Sequence, residues 1–81
     1  MARMMPEAFV LFKIEPTKER EVYLALSENE SVAEVHVLYG EYDLLVQVSL
    51  DDARALTGML MQEFRQITGV RETQTMIAVD Y

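Results

Sequence analysis

Two alternating apolar runs, joined by a short polar turn, constrain this chain more than any other feature. The runs occupy residues 32–38 and 44–50, and Tyr39-Gly40-Glu41-Tyr42-Asp43 separates them. Alternation with a period of two is typical of strands that bury one face, and Gly40 can adopt the positive φ of a tight reversal. The pattern predicts a β-hairpin. Its turn carries two phenols and two carboxylates, more polar chemistry than a hairpin requires, so these side chains are candidates for contact with a ligand.

The residues before the hairpin predict a strand and a helix. Residues 8–14 are apolar on both alternating faces up to Lys13, which is typical of a central strand covered on both sides. Pro16 ends that run, and Thr17 is a candidate N-cap for a helix over residues 18–28, which lack helix breakers.

The residues after the hairpin repeat the same order. Asp51 is a candidate cap for a second helix, whose apolar positions recur at helical spacing: Leu56, Met59, Leu60, Phe64 and Ile67. Gly69 follows as a candidate C′ residue. A last strand over residues 70–79 places Thr73 and Thr75 on one face.

This order of elements predicts an α+β, ferredoxin-like βαββαβ fold, which is a four-stranded antiparallel sheet with two helices on one face. Such a sheet has a second face that its own helices do not cover. Apolar residues are available for that face: Phe9, Leu11, Leu45 and Met76. An exposed apolar patch normally marks an interaction surface, so we expect a homodimer in which two sheets face each other.

Length, charge and composition limit the classes of protein. A chain of 81 residues predicts one domain, over residues 1–81, with a marginal core that favours self-association. The absence of cysteine excludes a disulfide scaffold and agrees with a cytoplasmic protein. No apolar run approaches the roughly 18 residues of a membrane span. The net charge of −7 argues against direct binding to nucleic acid, which depends on lysine and arginine.

With these elements in place, the chain resembles the RAM (regulation of amino acid metabolism) domain of the Lrp/AsnC transcriptional regulators. The resemblance spans residues 8–79 and depends on the order and spacing of its pieces. Those pieces are Ala8-Phe9-Val10-Leu11, Glu15-Pro16-Thr17-Lys18-Glu19, Val32-Ala33-Glu34-Val35, Tyr39-Gly40-Glu41-Tyr42-Asp43-Leu44 and Thr68-Gly69-Val70-Arg71-Glu72-Thr73-Gln74-Thr75. One departure is Glu30-Ser31, where the family commonly has Pro-Gly.

The resemblance implies a function and a site. Family members bind amino-acid effectors between dimers of a ring, commonly an octamer, and usually carry an N-terminal helix-turn-helix, for which residues 1–7 leave no room. The resemblance therefore implies a stand-alone RAM protein. Its candidate protein partners are other copies of the chain and a full-length regulator of the family. The ligand-binding positions that the resemblance implies are Tyr39, Gly40, Asp43, Thr73 and Thr75. Asp43 would meet the ligand's ammonium group, and the backbone N–H groups around Gly40 would hold its carboxylate together with the two threonine hydroxyls.

Simpler interpretations of the same residues stay open. The turn can be only a turn, with Asp43 capping it, and Thr73 and Thr75 can be ordinary strand residues on an open face. The single histidine, His36, has no second histidine or cysteine beside it, and no catalytic, metal or cofactor motif appears. The sequence favours a regulatory module that is not an enzyme. The alternative is a small dimeric ferredoxin-like enzyme of the monooxygenase or isomerase type, with a pocket between helices and sheet around His36 or a tyrosine.

Overall fold

A computed structural model of the chain describes residues 7–49, 58 and 60–78. The elements follow the predicted order: β1 (Glu7–Ile14), α1 (Glu19–Ser27), β2 (Val32–Val37), β3 (Leu44–Ser49), α2 (Met61–Arg65) and β4 (Val70–Ala78). The predicted cap Asp51 and most of the predicted first turns of the second helix lie outside the described residues. No helix in the described part of the chain is both long enough and apolar enough to cross a membrane.

The four strands form one antiparallel sheet in the order β2-β3-β1-β4. β1 is central, as its long apolar run predicts, and it pairs with β3 on one side and with β4 on the other. The predicted α+β, ferredoxin-like fold is therefore confirmed. The two edge strands are β2, which follows α1 in the chain, and β4, which follows α2.

Both helices cover the same face of the sheet. Alternate residues of β1, from Ala8 to Ile14, are buried against Val22 and Leu26 of α1 and against residues of α2. The rings of Phe12 and Phe64 lie 5.4 Å apart at 60°, a tilted arrangement that aromatic pairs favour. This contact holds α2 over the centre of the sheet.

The opposite face of the sheet, here called the open face, has no helix over it in the described chain. The registers place Phe9 beside Met76 and Leu11 beside Leu45 on this face. These side chains are partly buried by their neighbours, and Met76 is 43% exposed. The prediction that β1 is covered on both sides holds only for its helix-facing side within a single chain.

The first helix begins one residue later than predicted. Lys18, not Thr17, occupies the N-cap, and no side chain caps the helix. Instead the Lys18 N–H donates to the Glu15 carbonyl at 2.9 Å, which closes a four-residue turn. Pro16 stands at the second position of that turn, where its fixed φ is favourable. The turn, rather than a threonine hydroxyl, therefore starts α1.

Gly69 is not the C′ residue of the second helix. α2 ends at Arg65, its C-cap is Gln66, and Gly69 lies three residues further along, in the turn into β4. It has φ +104°, and its carbonyl accepts the Glu15 N–H at 2.9 Å. A Cβ at this position would lie 2.5 Å from Lys18 Cβ, so the glycine allows this turn to pack against the start of α1.

A bulge in β2 changes which residues face the core. The pairing of β2 with β3 shifts register between Val32 and Glu34, so one extra residue is accommodated there. Val32 consequently packs against the core while Ala33 is exposed, the reverse of strict alternation. Beyond the bulge the alternation holds, with Val35 packed against the core and His36 on the open face.

The two glycines with positive φ make a matched pair for a stability test. A Cβ at Gly69 would lie 2.5 Å from Lys18 Cβ, whereas a Cβ at Gly40 would meet nothing within 4 Å. Both alanine variants incur backbone strain, but only Gly69→Ala adds a clash. We expect urea unfolding to show that Gly69→Ala loses about 1–3 kcal/mol more stability than Gly40→Ala. Equal losses would mean that the turn before β4 relaxes freely.

Candidate functional site

The turn between β2 and β3 is closed by hydrogen bonds of the main chain. The Leu38 N–H donates to the Asp43 carbonyl at 2.9 Å, and between them Gly40 has φ +140°. Residues with a side chain rarely adopt such a φ, so the glycine allows this loop shape. Tyr39, which precedes it, is fully exposed and extends away from the chain.

Asp43 ties this turn to the end of β1. Its N–H donates to the Phe12 carbonyl at 2.8 Å, and its Oδ2 accepts the Ile14 N–H at 2.8 Å. A side-chain bond thus continues the ladder between β1 and β3 beyond its last residue pair. Asp43 does act as a cap, but of β1 rather than of its own hairpin. Among the described residues nothing else bonds to its second oxygen, Oδ1.

A groove of about 520 Å³, here called the turn groove, lies between α1 and this turn. Its walls include Arg20, Tyr23 and Leu24 from α1 and Val37, Tyr39 and Asp43 from the hairpin. Its volume falls within the roughly 300–1,000 Å³ that is usual for small-molecule sites. Two of the five predicted ligand-binding residues, Tyr39 and Asp43, therefore line one groove.

The predicted residues of β4 lie elsewhere. Thr73 pairs with Phe12 and Thr75 with Val10, so both are on the helix-covered side of the sheet, not on the open face. Thr73 lines a second hollow of about 350 Å³, together with residues of α2 and β4 that include Arg65 and Arg71. We call it the β4 hollow. The Thr75 Oγ1 donates to Met61 Sδ at 3.0 Å.

Within one chain, then, the predicted site is divided by β1. Asp43 bonds to one side of Phe12, and Thr73 pairs with its other side. Two strand spacings separate such neighbours, which amounts to about 10 Å. Gly40 shapes the turn, and Tyr39 and Asp43 line its groove, but the two threonines are not brought into that groove.

The other side of the turn forms a contact network that sequence reasoning missed. The Tyr42 hydroxyl donates to Gln74 Oε1 at 2.6 Å, and so reaches from the turn across β1 to β4. Lys13 Nζ lies 5.3 Å from the centre of the Tyr42 ring and 3.8 Å from Glu41 Oε2. The sequence did contain a signal for this network. Lys13 is the one charged residue in the apolar run 8–14, and the alternation of a strand places it on the same face as Phe9 and Leu11, the open face.

His36 is on the open face, and it lines neither the turn groove nor the β4 hollow. Its Nε2 lies 2.8 Å from Glu34 Oε1 in an exposed pair. Among the described residues no group of three histidine, cysteine or carboxylate side chains is placed to hold a metal ion. The enzyme alternative expects an apolar pocket between helices and sheet around His36 or a tyrosine. His36 lies outside both hollows, whereas Tyr23 and Tyr39 line the turn groove.

Comparison with known proteins places these features in a family. Residues 7–80 match the family model of the Lrp/AsnC ligand binding domain. The chain belongs to this family. The resemblance inferred from the sequence is therefore confirmed, and the fold is the one that the Lrp/AsnC resemblance implies.

Individual relatives agree with this assignment. An uncharacterized HTH-type transcriptional regulator of Pyrococcus abyssi is 33% identical over 76 residues, which cover 90% of this chain and 51% of the relative. A hypothetical protein from Pyrococcus horikoshii has a solved structure with 38% identity and a TM-score of 0.83, covering 95% of this chain and 93% of that one. The structure of a transcriptional regulator from Neisseria meningitidis in complex with L-Met has 25% identity and a TM-score of 0.79, covering 93% and 50%.

The chain spans about half the length of the curated relatives it matches. Those relatives are named as transcriptional regulators, and the matched part is the Lrp/AsnC ligand-binding domain. The findings therefore support a regulatory module, as the sequence predicts, and the relatives' names point away from an enzyme.

The role of Asp43 in tying the turn to β1 can be measured. Asp43→Ala leaves the N–H of the buried Ile14 without an acceptor, so we expect a loss of about 1–3 kcal/mol in the free energy of unfolding. Asp43→Asn keeps an acceptor oxygen and should lose clearly less. Glu41→Ala, in the exposed part of the same turn, should stay within about 0.5 kcal/mol of wild type. Equal losses for the alanine and asparagine variants would show that the charge, not the acceptor, stabilises the turn.

Proposed function

We propose that this chain is an amino-acid effector-binding, self-assembling regulatory module, formed by one RAM-like domain over residues 1–81 and acting in the cytoplasm. The observation that carries the proposal is Asp43, a residue that lines a groove of ligand size while one of its carboxylate oxygens, Oδ2, accepts a hydrogen bond from the main chain of β1. With a net charge of −7, these residues themselves make no sequence-specific contact with DNA. Any such contact belongs to a partner or to another domain.

The chemistry at the turn suits an amino-acid zwitterion. Asp43 Oδ1 accepts from the ligand's ammonium group, and this charge-assisted bond needs little reordering because Oδ2 is already fixed. At Gly40 the main chain has no side chain in its way, since a Cβ there would meet nothing within 4 Å, so a ligand can approach the backbone closely. The relative from Neisseria meningitidis, solved as a complex with L-Met, lends support to an amino acid as the ligand class.

We place the complete site at a boundary between copies of the chain. Tyr39 and Asp43 line the turn groove, but Thr73 lines the β4 hollow on the other side of β1, about 10 Å away. One amino acid cannot bond to both halves within a single chain. A second copy that brings Thr73 and Thr75 to the rim of the turn groove completes the set. Among the described residues, the acceptor of the Thr75 hydroxyl is a thioether sulfur, a weak acceptor that it can exchange for a ligand carboxylate.

The open face supplies the contact for a dimer. Its centre is apolar, at Phe9, Leu11, Leu45 and Met76, and its margin carries polar groups such as the pair of His36 and Glu34. An apolar centre with a polar margin is typical of a protein interface, and two sheets pack well at about 10 Å. Dimers joined in this way can assemble further into a ring, up to an octamer, through the boundary that holds the ligand.

The enzyme alternative is less well supported. The only histidine of the chain lies in an exposed pair with Glu34, on the open face and away from both hollows. General acid–base catalysis requires a group within hydrogen-bond reach of a bound substrate. A monooxygenase or isomerase built on this fold would therefore have to work without its histidine.

Ligand binding by Asp43 can be tested with a thermal-shift screen of the standard amino acids on the wild-type chain. A ligand that binds the native state raises the melting temperature, and its affinity can then be measured by calorimetry. We expect Asp43→Asn to weaken binding by on the order of ten- to a hundredfold, the value of a charged hydrogen bond. Glu41→Gln removes a carboxylate of the same turn and should bind as wild type does. Equal affinities for all three proteins would show that Asp43 does not hold the ligand.

Dimer formation through the open face can be tested by adding one negative charge to it. Leu11→Glu places a carboxylate at the centre of the face, and burying an unpaired charge there is costly. We expect light scattering at micromolar concentration to show an oligomer for wild type and a smaller species for the variant. Gln62→Glu, an equal change of charge on the exposed side of α2, should leave the mass unchanged. A monomeric wild type, or a Leu11→Glu variant of wild-type mass, would contradict the proposal.

A further inference from the structure

The turn groove has a second, apolar character that the ammonium contact does not explain. Six large apolar or aromatic side chains are exposed in the described part of the chain, and four of them line this one groove: Tyr23, Leu24, Val37 and Tyr39. Single exposed apolar residues are ordinary, but a cluster of them in a concave site marks a binding surface.

The fold does not require this cluster. α1 buries Val22 and Leu26 in the core, and one such stripe is enough to hold a surface helix. Tyr23 and Leu24 form a second apolar stripe on another side of the same helix, where they are 38% and 48% exposed. Because packing of the single chain leaves these side chains partly in water, their burial is available to a ligand.

A cation lies on the same stripe. Arg20 precedes Tyr23 and Leu24 by three and four residues, the spacing that places side chains on one side of a helix, and all three line the groove. Among the described residues Arg20 has no ion-pair partner. The groove thus combines the guanidinium of Arg20, the carboxylate of Asp43 and an apolar wall between α1 and β2. Opposite charges beside an apolar wall complement a zwitterion that carries an apolar side chain.

Building on the proposed function, we propose that the turn groove selects amino acids with a large aliphatic or aromatic side chain. Leu24, Tyr23 and Val37 receive that side chain, Arg20 pairs with the ligand's carboxylate, and Asp43 pairs with its ammonium group. A small or charged amino acid fits the same polar contacts but gains nothing from the apolar wall. Each buried methylene is worth about 0.8 kcal/mol, which is about fourfold in affinity. Leucine, methionine or phenylalanine should therefore bind at least tenfold more tightly than alanine.

Calorimetry with L-leucine, L-phenylalanine, L-alanine, L-aspartate and L-lysine on the full chain tests this assignment. The variants Leu24→Gln and Val37→Thr keep the shape of each side chain approximately and make it polar, and both positions are exposed enough to tolerate the change. We expect each variant to reduce the preference of leucine and phenylalanine over alanine by severalfold. Arg20→Gln should weaken all bound amino acids by roughly tenfold or more.

Ile77→Thr is the matched control, because it makes an exposed apolar residue of β4 polar outside the groove. It should keep the wild-type preference. The selectivity inference is overturned if aspartate or lysine binds most tightly, or if the preference survives both Leu24→Gln and Val37→Thr. It is also overturned if those variants change the oligomer mass without changing the preference, since the groove then receives a side chain of a second copy.

These outcomes separate the inference from the function on which it rests. An amino acid that still depends on Asp43 but not on the apolar wall leaves the effector-binding proposal standing and removes only the side-chain preference. Failure of every amino acid to bind the wild-type chain removes both.

Discussion

Asp43 determines where the β2–β3 turn lies relative to the rest of the sheet. Its main-chain N–H and its side-chain oxygen both bond to the end of β1, at Phe12 and Ile14. The six-residue loop at the end of this hairpin, residues 38–43, would otherwise be held only by its own strands. Because β1 is an inner strand of the sheet and contributes four residues to the core, these two bonds attach the turn to a well-packed part of the molecule. Preorganisation of this kind is what a ligand site needs, since a fixed carboxylate loses little entropy on binding.

The same attachment gives the turn two sides with different surroundings. On the helix-covered side, Tyr39 and Asp43 line the groove beside α1. On the open face, the Tyr42 hydroxyl bonds to Gln74 of β4. The turn therefore borders both the surface that we propose binds the effector and the surface that we propose forms the dimer.

Much of the fold could be predicted because its local signals agree with one another. The alternating runs, the polar turn and the apolar stripe of the second helix each predict one element, and only the ferredoxin-like order accommodates them all. The errors at the helix ends arise where a turn replaces the expected cap. Thr17 does not cap α1 because the Glu15–Lys18 turn starts the helix, and Gly69 follows α2 at a distance because its turn packs against Lys18. A propensity for caps cannot detect such a contact.

The site was less predictable than the fold, for a geometric reason. Alternation shows that Thr73 and Thr75 share one face of their strand, but it does not show which face of the sheet the helices cover. Both residues lie on the helix-covered side, so the interpretation that placed them on an open face was wrong. The walls of the turn groove were missed on α1, although the unbroken apolar run at residues 22–26 was a usable signal. A surface helix needs one apolar stripe that faces the core, and an unbroken apolar run exceeds that requirement.

The residues that line the groove differ in how strongly the fold depends on them. In the site that we propose, the carboxylate that would meet the ammonium group is bonded to the backbone of β1, so altering it would disturb the turn. Leu24 and Val37, by contrast, are 48% and 67% exposed, and substitutions at exposed positions usually change stability by less than about 0.5 kcal/mol. The proposed contact of Asp43 with the ammonium group is therefore costly to change, while the proposed contacts of Leu24 and Val37 with the ligand's side chain are not. A module built in this way can acquire a new effector through α1 and the end of β2 and keep its turn intact.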